Sequence, residues 1–362
     1  MSSHTLKRPR TTGVALVLAA AVGAAALVTV VLIRGGSGRD PSVPDGRAAP
    51  VTASLPVTVG GTQGAQARVT TFSDPDGRLH APRDLTVGAD GNVWFTADRT
   101  QVGRITPGGE ITLYSDPAGL IDTPDSIVTG ADGTMWFTSL GDRIGRITTT
   151  GDITSFPIGG GDAWGPLGLA AGPDANVWFT TASNQIGRMT PTGEVVVFDG
   201  NAAGVVFPTH IAAGPDGDVW FTNLLNGRIG RVTADGQITT FDVSEMGGAL
   251  AGIAAGPDGN IWFTGATTNR IGRMTVDGTV TSFDGTAAGV GEPGAITPGA
   301  DGALWFTNVN NRIGRIAVDG AITTYDTNSG HVRAPFGITL GPDGNVWFTS
   351  MANDRLGVIQ PS

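Results

Sequence analysis

A closed seven-bladed β-propeller of four-stranded blades is the fold this sequence predicts, and three observations predict it. The dipeptide Trp-Phe occurs seven times, at Trp94, Trp136, Trp178, Trp220, Trp262, Trp305 and Trp347, with spacings of 42, 42, 42, 42, 43 and 42 residues. Within each period the apolar stretches are short, rich in Val, Ile, Thr, Phe and Trp, and separated by Asp-Gly or Asn-rich turns. That is the pattern of strands, and the frequent glycines would weaken helices of the same period. Finally, the seventh unit stops at 358–362 before any fourth strand, while a matching strand, Arg68-Val69-Thr70-Thr71-Phe72, stands ahead of the first unit. A period of about 40 to 45 residues with four strands per unit is that of a propeller blade, and the displaced strand closes the ring.

Taken from the N-terminus, residues 1–12 form a basic tail, with Lys7, Arg8 and Arg10 ahead of an apolar run over 13–33. That run is long enough to span a bilayer of about 30 Å as a helix, so it is either a transmembrane anchor or a signal segment. The basic tail belongs in the cytoplasm and the propeller outside it, membrane-anchored or, if the segment is cleaved, secreted. Residues 34–67, rich in Gly, Ser and Pro, read as a flexible linker. The propeller then covers 68–362.

In the first blade the strands fall at 85–88, 92–96, 102–106 and 110–114. Asp90-Gly91, Asp132-Gly133, Asp216-Gly217, Asp258-Gly259, Asp301-Gly302 and Asp343-Gly344 supply the positive backbone angles of tight hairpins. The third unit has Asp174-Ala175, which predicts a strained turn or one of another type. The Trp and Phe of each unit point to opposite faces of their strand and pack against neighbouring blades. The arginines of the Ile-Gly-Arg steps, Arg104, Arg146, Arg188, Arg231, Arg273 and Arg315, recur with the blade and are assigned to pairing with the turn aspartates or solvent.

The chain has no cysteine, which excludes disulfides, thiolate metal sites and cysteine nucleophiles. With 22 basic and 32 acidic residues its formal charge is −10, which argues against a nucleic-acid partner. A monomeric propeller with a small-molecule, glycan or peptide ligand is expected.

Units such as Gly256-Pro257-Asp258-Gly259-Asn260-Ile261-Trp262-Phe263-Thr264, followed by Asn269-Arg270-Ile271-Gly272-Arg273, resemble those of the virginiamycin B lyase (streptogramin lyase) family over all seven blades. The resemblance implies elimination at the ester of a cyclic depsipeptide antibiotic. A histidine would take the proton beside the carbonyl, and a magnesium ion with Glu ligands would stabilise the enolate-like charge. The family's motifs for this are Pro-His-Gly-Ile at the start of an innermost strand, preceded in one blade by Glu, and Trp-Phe-Thr-Glu at the end of the second. Neither occurs here. The first position holds Arg83, Asp125, Leu167, Thr209, Ala251, Gly294 and Phe336; the second holds Ala97, Ser139, Thr181, Asn223, Gly265, Asn308 and Ser350. Only Glu292-Pro293 keeps the Glu-Pro step, and Gly294 stands where its histidine would be.

Loops entering the innermost strands and leaving the second strands open on one face around the central channel, where functional residues should collect. His80, Arg83 and Asp84 of blade one, with His331 and Arg333 of blade seven, make a candidate patch for a carboxylate or phosphate. His210, one position past the family's histidine, is the candidate displaced base or metal ligand. Asp84, Asp125, Glu292, Asn223 and Asn308 offer oxygens to a hard cation. Trp164, Phe207 and Phe336 offer aromatic surface. The reading that follows is an extracytoplasmic binding propeller. The alternatives are a magnesium-dependent lyase that linearises streptogramin B type depsipeptides and a metal-dependent, lactonase-like hydrolase.

Overall fold

The computed structural model describes residues 57–60 and 67–361, except 99, 117, 118, 120, 160–164 and 328–330. The tail at 1–12, the apolar segment at 13–33 and most of the expected linker lie outside the described residues, as does Trp164. Among the described residues no helix is long and apolar enough to cross a membrane.

Seven antiparallel sheets surround a central channel, each running outward from an inner strand. The inner strands are Leu85–Val87, Pro124–Thr129, Pro166–Ala171, Pro208–Ala213, Leu250–Ala255, Pro293–Pro298 and Pro335–Leu340. The ring closes as expected. Ala67–Phe72 pairs antiparallel with Arg355–Pro361, Phe72 opposite Leu356 and Ala67 opposite Pro361, and so completes blade seven. One feature of the linker is corrected. Val57–Gly60 is a strand pairing with the closing strand, Val57 opposite Thr71 and Gly60 opposite Arg68, so blade seven has five strands. The alternating Val-Thr-Val suits an extended ladder, and the outer edge of the closing strand would otherwise stand open.

One side-chain unit, repeated by blade, explains the motif. The turn aspartate takes the indole N–H of the Trp four residues on, at 2.9 to 3.4 Å in all seven blades. It also pairs with the Ile-Gly-Arg arginine, at 2.6 to 4.0 Å in the six blades that have one. In blades one to five that guanidinium lies over the Trp ring at 5.4 to 5.7 Å. The Trp stacks on the aromatic ring of its blade's fourth strand, with centroids 5.3 to 5.8 Å apart. The glycine of Ile-Gly-Arg is required: a Cβ on Gly145 would sit 2.1 Å from the tip of the Phe137 ring. Ala175, in the Asp174-Ala175 turn, adopts the left-handed angle that glycine takes elsewhere, φ 62° against 71° at Gly91.

A second unit ties each blade to the next. The residue before the entry-loop proline is left-handed in six blades: Ala81, Thr123, Gly165, Phe207, Glu292 and Ala334, with φ from 42° to 66°. In five of these its amide is caught by an Asp or Asn from the turn that precedes the third strand of the previous blade. The donors Ala81, Gly165, Phe207, Glu292 and Ala334 bond to Asp354, Asp142, Asn184, Asn269 and Asn311 at 2.8 to 3.0 Å. These bonds hold a conformation that a following proline and a Cβ both disfavour. Between blades four and five the turn residue is Gly227 and the entry has no proline. There Ala249 N–H bonds to Thr267 Oγ1 within blade five itself.

Candidate functional site

At the channel mouth a ring of hydrogen bonds runs through the Trp-Phe-Thr threonines. Thr96 Oγ1 receives the Asp84 amide and donates to the Asp125 carbonyl of the next blade, at 3.1 and 2.7 Å. Thr180, Thr264 and Thr349 repeat this, the last joining blade seven to blade one by donating to the Arg83 carbonyl at 2.6 Å. The ring fixes the two residues after each entry-loop proline, which line the mouth.

Blades one and two place charge there. Arg83 Nη1 pairs with Asp125 Oδ1 at 2.8 Å. Asp84 Oδ2 accepts from Ser126 Oγ at 2.9 Å and from the Ile127 amide at 3.0 Å, while Oδ1 accepts from the Leu85 amide at 2.9 Å. Ser126 Oγ in turn accepts the Leu169 amide of blade three at 3.2 Å. Burial is the largest influence on Asp84 and raises its carboxyl to about 6, with Asp125 adding repulsion and the three donors opposing. Arg83 and Asp84, expected beside His80, His331 and Arg333, bond to Asp125, Ser126 and the Ile127 amide.

Blades five to seven are apolar at the same level, and blade four brings Thr209 and His210. A hollow enclosing about 50 Å³ and open to solvent is lined by Thr209, His210, Ala251, Gly294, Ala295 and Phe336, with Leu224, Thr307, Val309 and Pro335 completing its wall. Burial holds the His210 imidazolium below the usual histidine range, and Asp125 pulls the other way. Its Nδ1 lies 3.4 Å from Thr209 Oγ1. A Cβ on Gly294 would sit 2.9 Å from Thr307 Oγ1, so a larger residue there must displace that hydroxyl.

The other expected residues are spread around the rim. His80 Nδ1 lies 3.5 Å from Asp354 Oδ2, a contact between blades one and seven with both side chains about half exposed. His331 and Arg333 are held through their backbones, His331 by Asn353 Nδ2 and Arg333 by Ser350 Oγ. Phe207 is the left-handed residue of its entry loop, as is Glu292. Asn223 and Asn308 are fully buried: their Oδ1 atoms accept the Val206 and Gly291 amides, and their amide groups donate to the Arg228 and Arg312 carbonyls. The period of two carried that signal, because the residue after Thr shares a face with the buried Phe.

The magnesium ion implied by the resemblance would need about six oxygen ligands in near-octahedral order. Among the described residues no three His, Cys, Asp or Glu side chains converge. With Asn223 and Asn308 committed to backbone groups, the donor set does not fit that ion.

A closed seven-bladed propeller with a largely apolar hollow at its mouth is thus the class that fold and site define. The chain belongs to the virginiamycin B lyase family, whose sequence model matches residues 162–362. It is similar to a solved streptogramin B lyase, at 30% identity and a TM-score of 0.74 over 82% of this chain and 98% of that one. Virginiamycin B lyase from Staphylococcus aureus aligns at 31% identity and a TM-score of 0.72, over 81% of this chain and 99% of that one. A catalytically inactive histidine-to-alanine variant of that lyase, solved with quinupristin, aligns at 31% and 0.73 over the same shares. A comparison with curated proteins finds no match.

Proposed function

We propose that this chain is an extracytoplasmic binding propeller whose channel mouth takes a small-molecule, glycan or peptide ligand without the elimination chemistry of its lyase relatives. One observation carries the reading: the cavity lies over Gly294, the position that the family's motif gives to the histidine base. The apolar lining suits a ligand's apolar group, while a general base contributes roughly 10² to 10⁴ in rate and glycine supplies none. The basic and apolar N-terminal segment supports display outside the cytoplasm.

A lyase acting on streptogramin B type depsipeptides is the second reading, favoured by family membership and by the neutral imidazole of His210 at the cavity edge. Titration calorimetry with quinupristin, followed by chromatography and mass spectrometry of the incubation with and without Mg²⁺, separates the two. Saturable binding with unchanged ligand is the expected result. A linear isomer of unchanged mass would establish elimination and overturn the binding reading. A product heavier by one water would point to hydrolysis instead.

A further inference from the structure

We propose that the cavity over blades four to seven seats an uncharged ring or branched apolar group of the ligand, anchored by one hydrogen bond to His210, with the ligand's remainder lying on an apolar rim of blade four. This rests on the binding reading above and names what part of a ligand the cavity accepts.

Three observations converge on it. First, Ala251, Ala295, Val309, Pro335 and Phe336 bring no charge to the wall. An ion pressed against them would lose hydration with nothing in return. Second, His210 is the one titratable side chain in the lining, and burial disfavours its charged form. Nδ1 faces Thr209 Oγ1, and among the described residues Nε2 has no protein partner, so a ligand hydroxyl or carbonyl can meet it.

Third, the apolar surface continues outward. Leu225 is 60% exposed and Val206 36%, the two most prominent apolar side chains on this rim. The two segments run side by side, because Asn223 Oδ1 holds the Val206 amide and the Phe207 carbonyl accepts the Leu224 amide at 3.1 Å. Leu224 lines the cavity and Leu225 follows it in the chain.

The test uses the full-length protein and simple probes, read by ligand-observed NMR and calorimetry: benzyl alcohol, toluene, benzylammonium, benzoate and 4-butylbenzyl alcohol. Benzyl alcohol should bind about tenfold more tightly than either ion of the same shape. His210→Phe should weaken benzyl alcohol about tenfold and leave toluene unchanged, which a merely structural role for the histidine would not produce. The butyl tail should add about tenfold in affinity, and Leu225→Ser should remove that gain while sparing benzyl alcohol. Ala295→Phe should abolish binding of every probe. Equal or tighter binding of an ion, an unchanged benzyl alcohol affinity in His210→Phe, or no probe binding at all would overturn the assignment. If quinupristin binds while the small probes do not, the binding reading survives and this inference alone falls.

Discussion

Across the channel mouth, blades one and two present Arg83 with Asp84 and Asp125 with Ser126 at the two inner-strand positions where blades five to seven present Ala251 with Gly252, Gly294 with Ala295, and Phe336 with Gly337. The two halves seal the gap to the next blade differently. In the polar half a side-chain oxygen crosses it, Asp84 reaching the Ile127 amide and Ser126 taking the Leu169 amide. In the apolar half the backbones themselves close up. A Cβ on Gly252 would sit 2.6 Å from the Gly294 carbonyl, and one on Gly337 would sit 2.5 Å from that of Arg83. Close backbone approach leaves small residues facing the channel, and that is why the cavity lies on this side. One scaffold thus carries a hydrogen-bonded wall and a hollow, decided by one residue per blade.

The largest effect should show that the scaffold beneath both halves is the same. Trp94→Ala in the polar half and Trp262→Ala in the apolar half each remove a fully buried ring, its stack on Tyr114 or Phe283, and the partner of a turn aspartate. Each should lose about 3–5 kcal/mol in urea unfolding. A difference between them approaching that size would mean that the halves do not share one frame.

That frame was legible in the sequence because it repeats. Seven Trp-Phe steps at one period, the Asp-Gly turns and the orphan strand at 68–72 fix blade number and closure with no long-range information. The pairing of Asp90 with Arg104 and its counterparts was legible for the same reason. What breaks the repeat was harder to see. The strand Val57–Gly60 has no counterpart in other blades, and its partner is identified only once the ring has closed. The Asn of Asn269-Arg270 and its equivalents recur, but their role needs the left-handed residue before a proline in the next blade. The grouping of Asp84, Ser126, Arg83 and Asp125 follows from which inner-strand positions meet across a blade interface, a register that sequence spacing alone leaves open.

The halves should also titrate in opposite senses. Asp84 is raised from its ordinary 3.8 to about 6, so the folded state holds an extra proton between those values. Its contribution is complete below about pH 4 and disappears as pH rises through about 6, at most about 3 kcal/mol for a shift of about two units. His210 is lowered from 6.5, so its contribution is present above that pH and is lost as pH falls through its folded value. Urea unfolding from pH 4 to 8 should show a falling component that vanishes in Asp84→Asn and a rising one that vanishes in His210→Gln. If both variants change the slope in the same direction, the two environments have been misassigned.

A smaller effect tests the seals directly. Gly252→Ala forces the Gly294 carbonyl outward and should cost about 1–3 kcal/mol, with ligand affinity falling because that strand edges the cavity. Ser126→Ala leaves Asp84 and the Leu169 amide each one partner short, and should cost a comparable amount while ligand affinity stays within about threefold. Equal loss of affinity in both would mean that the ligand spans the whole mouth.

The smallest expected change in stability is the most informative about how the halves communicate. Arg83 and Asp125 pair with about a quarter to a third of each side chain exposed, so Arg83→Ala should lower stability by about 1 kcal/mol or less. Its consequence lies elsewhere. Asp125 reaches His210 electrostatically and favours the charged imidazole, and the Arg83 guanidinium pairs with that carboxylate. With Arg83 gone, the His210 ring protons should titrate at higher pH in NMR, and Asp125→Asn should move them lower. Because an uncharged ligand group is to sit against that imidazole, Arg83→Ala should also weaken benzyl alcohol near pH 6 while leaving its affinity at pH 8 unchanged. If the His210 titration is unmoved by either variant, the wall and the hollow are electrically independent, and the charge on blades one and two bears only on how those blades hold together.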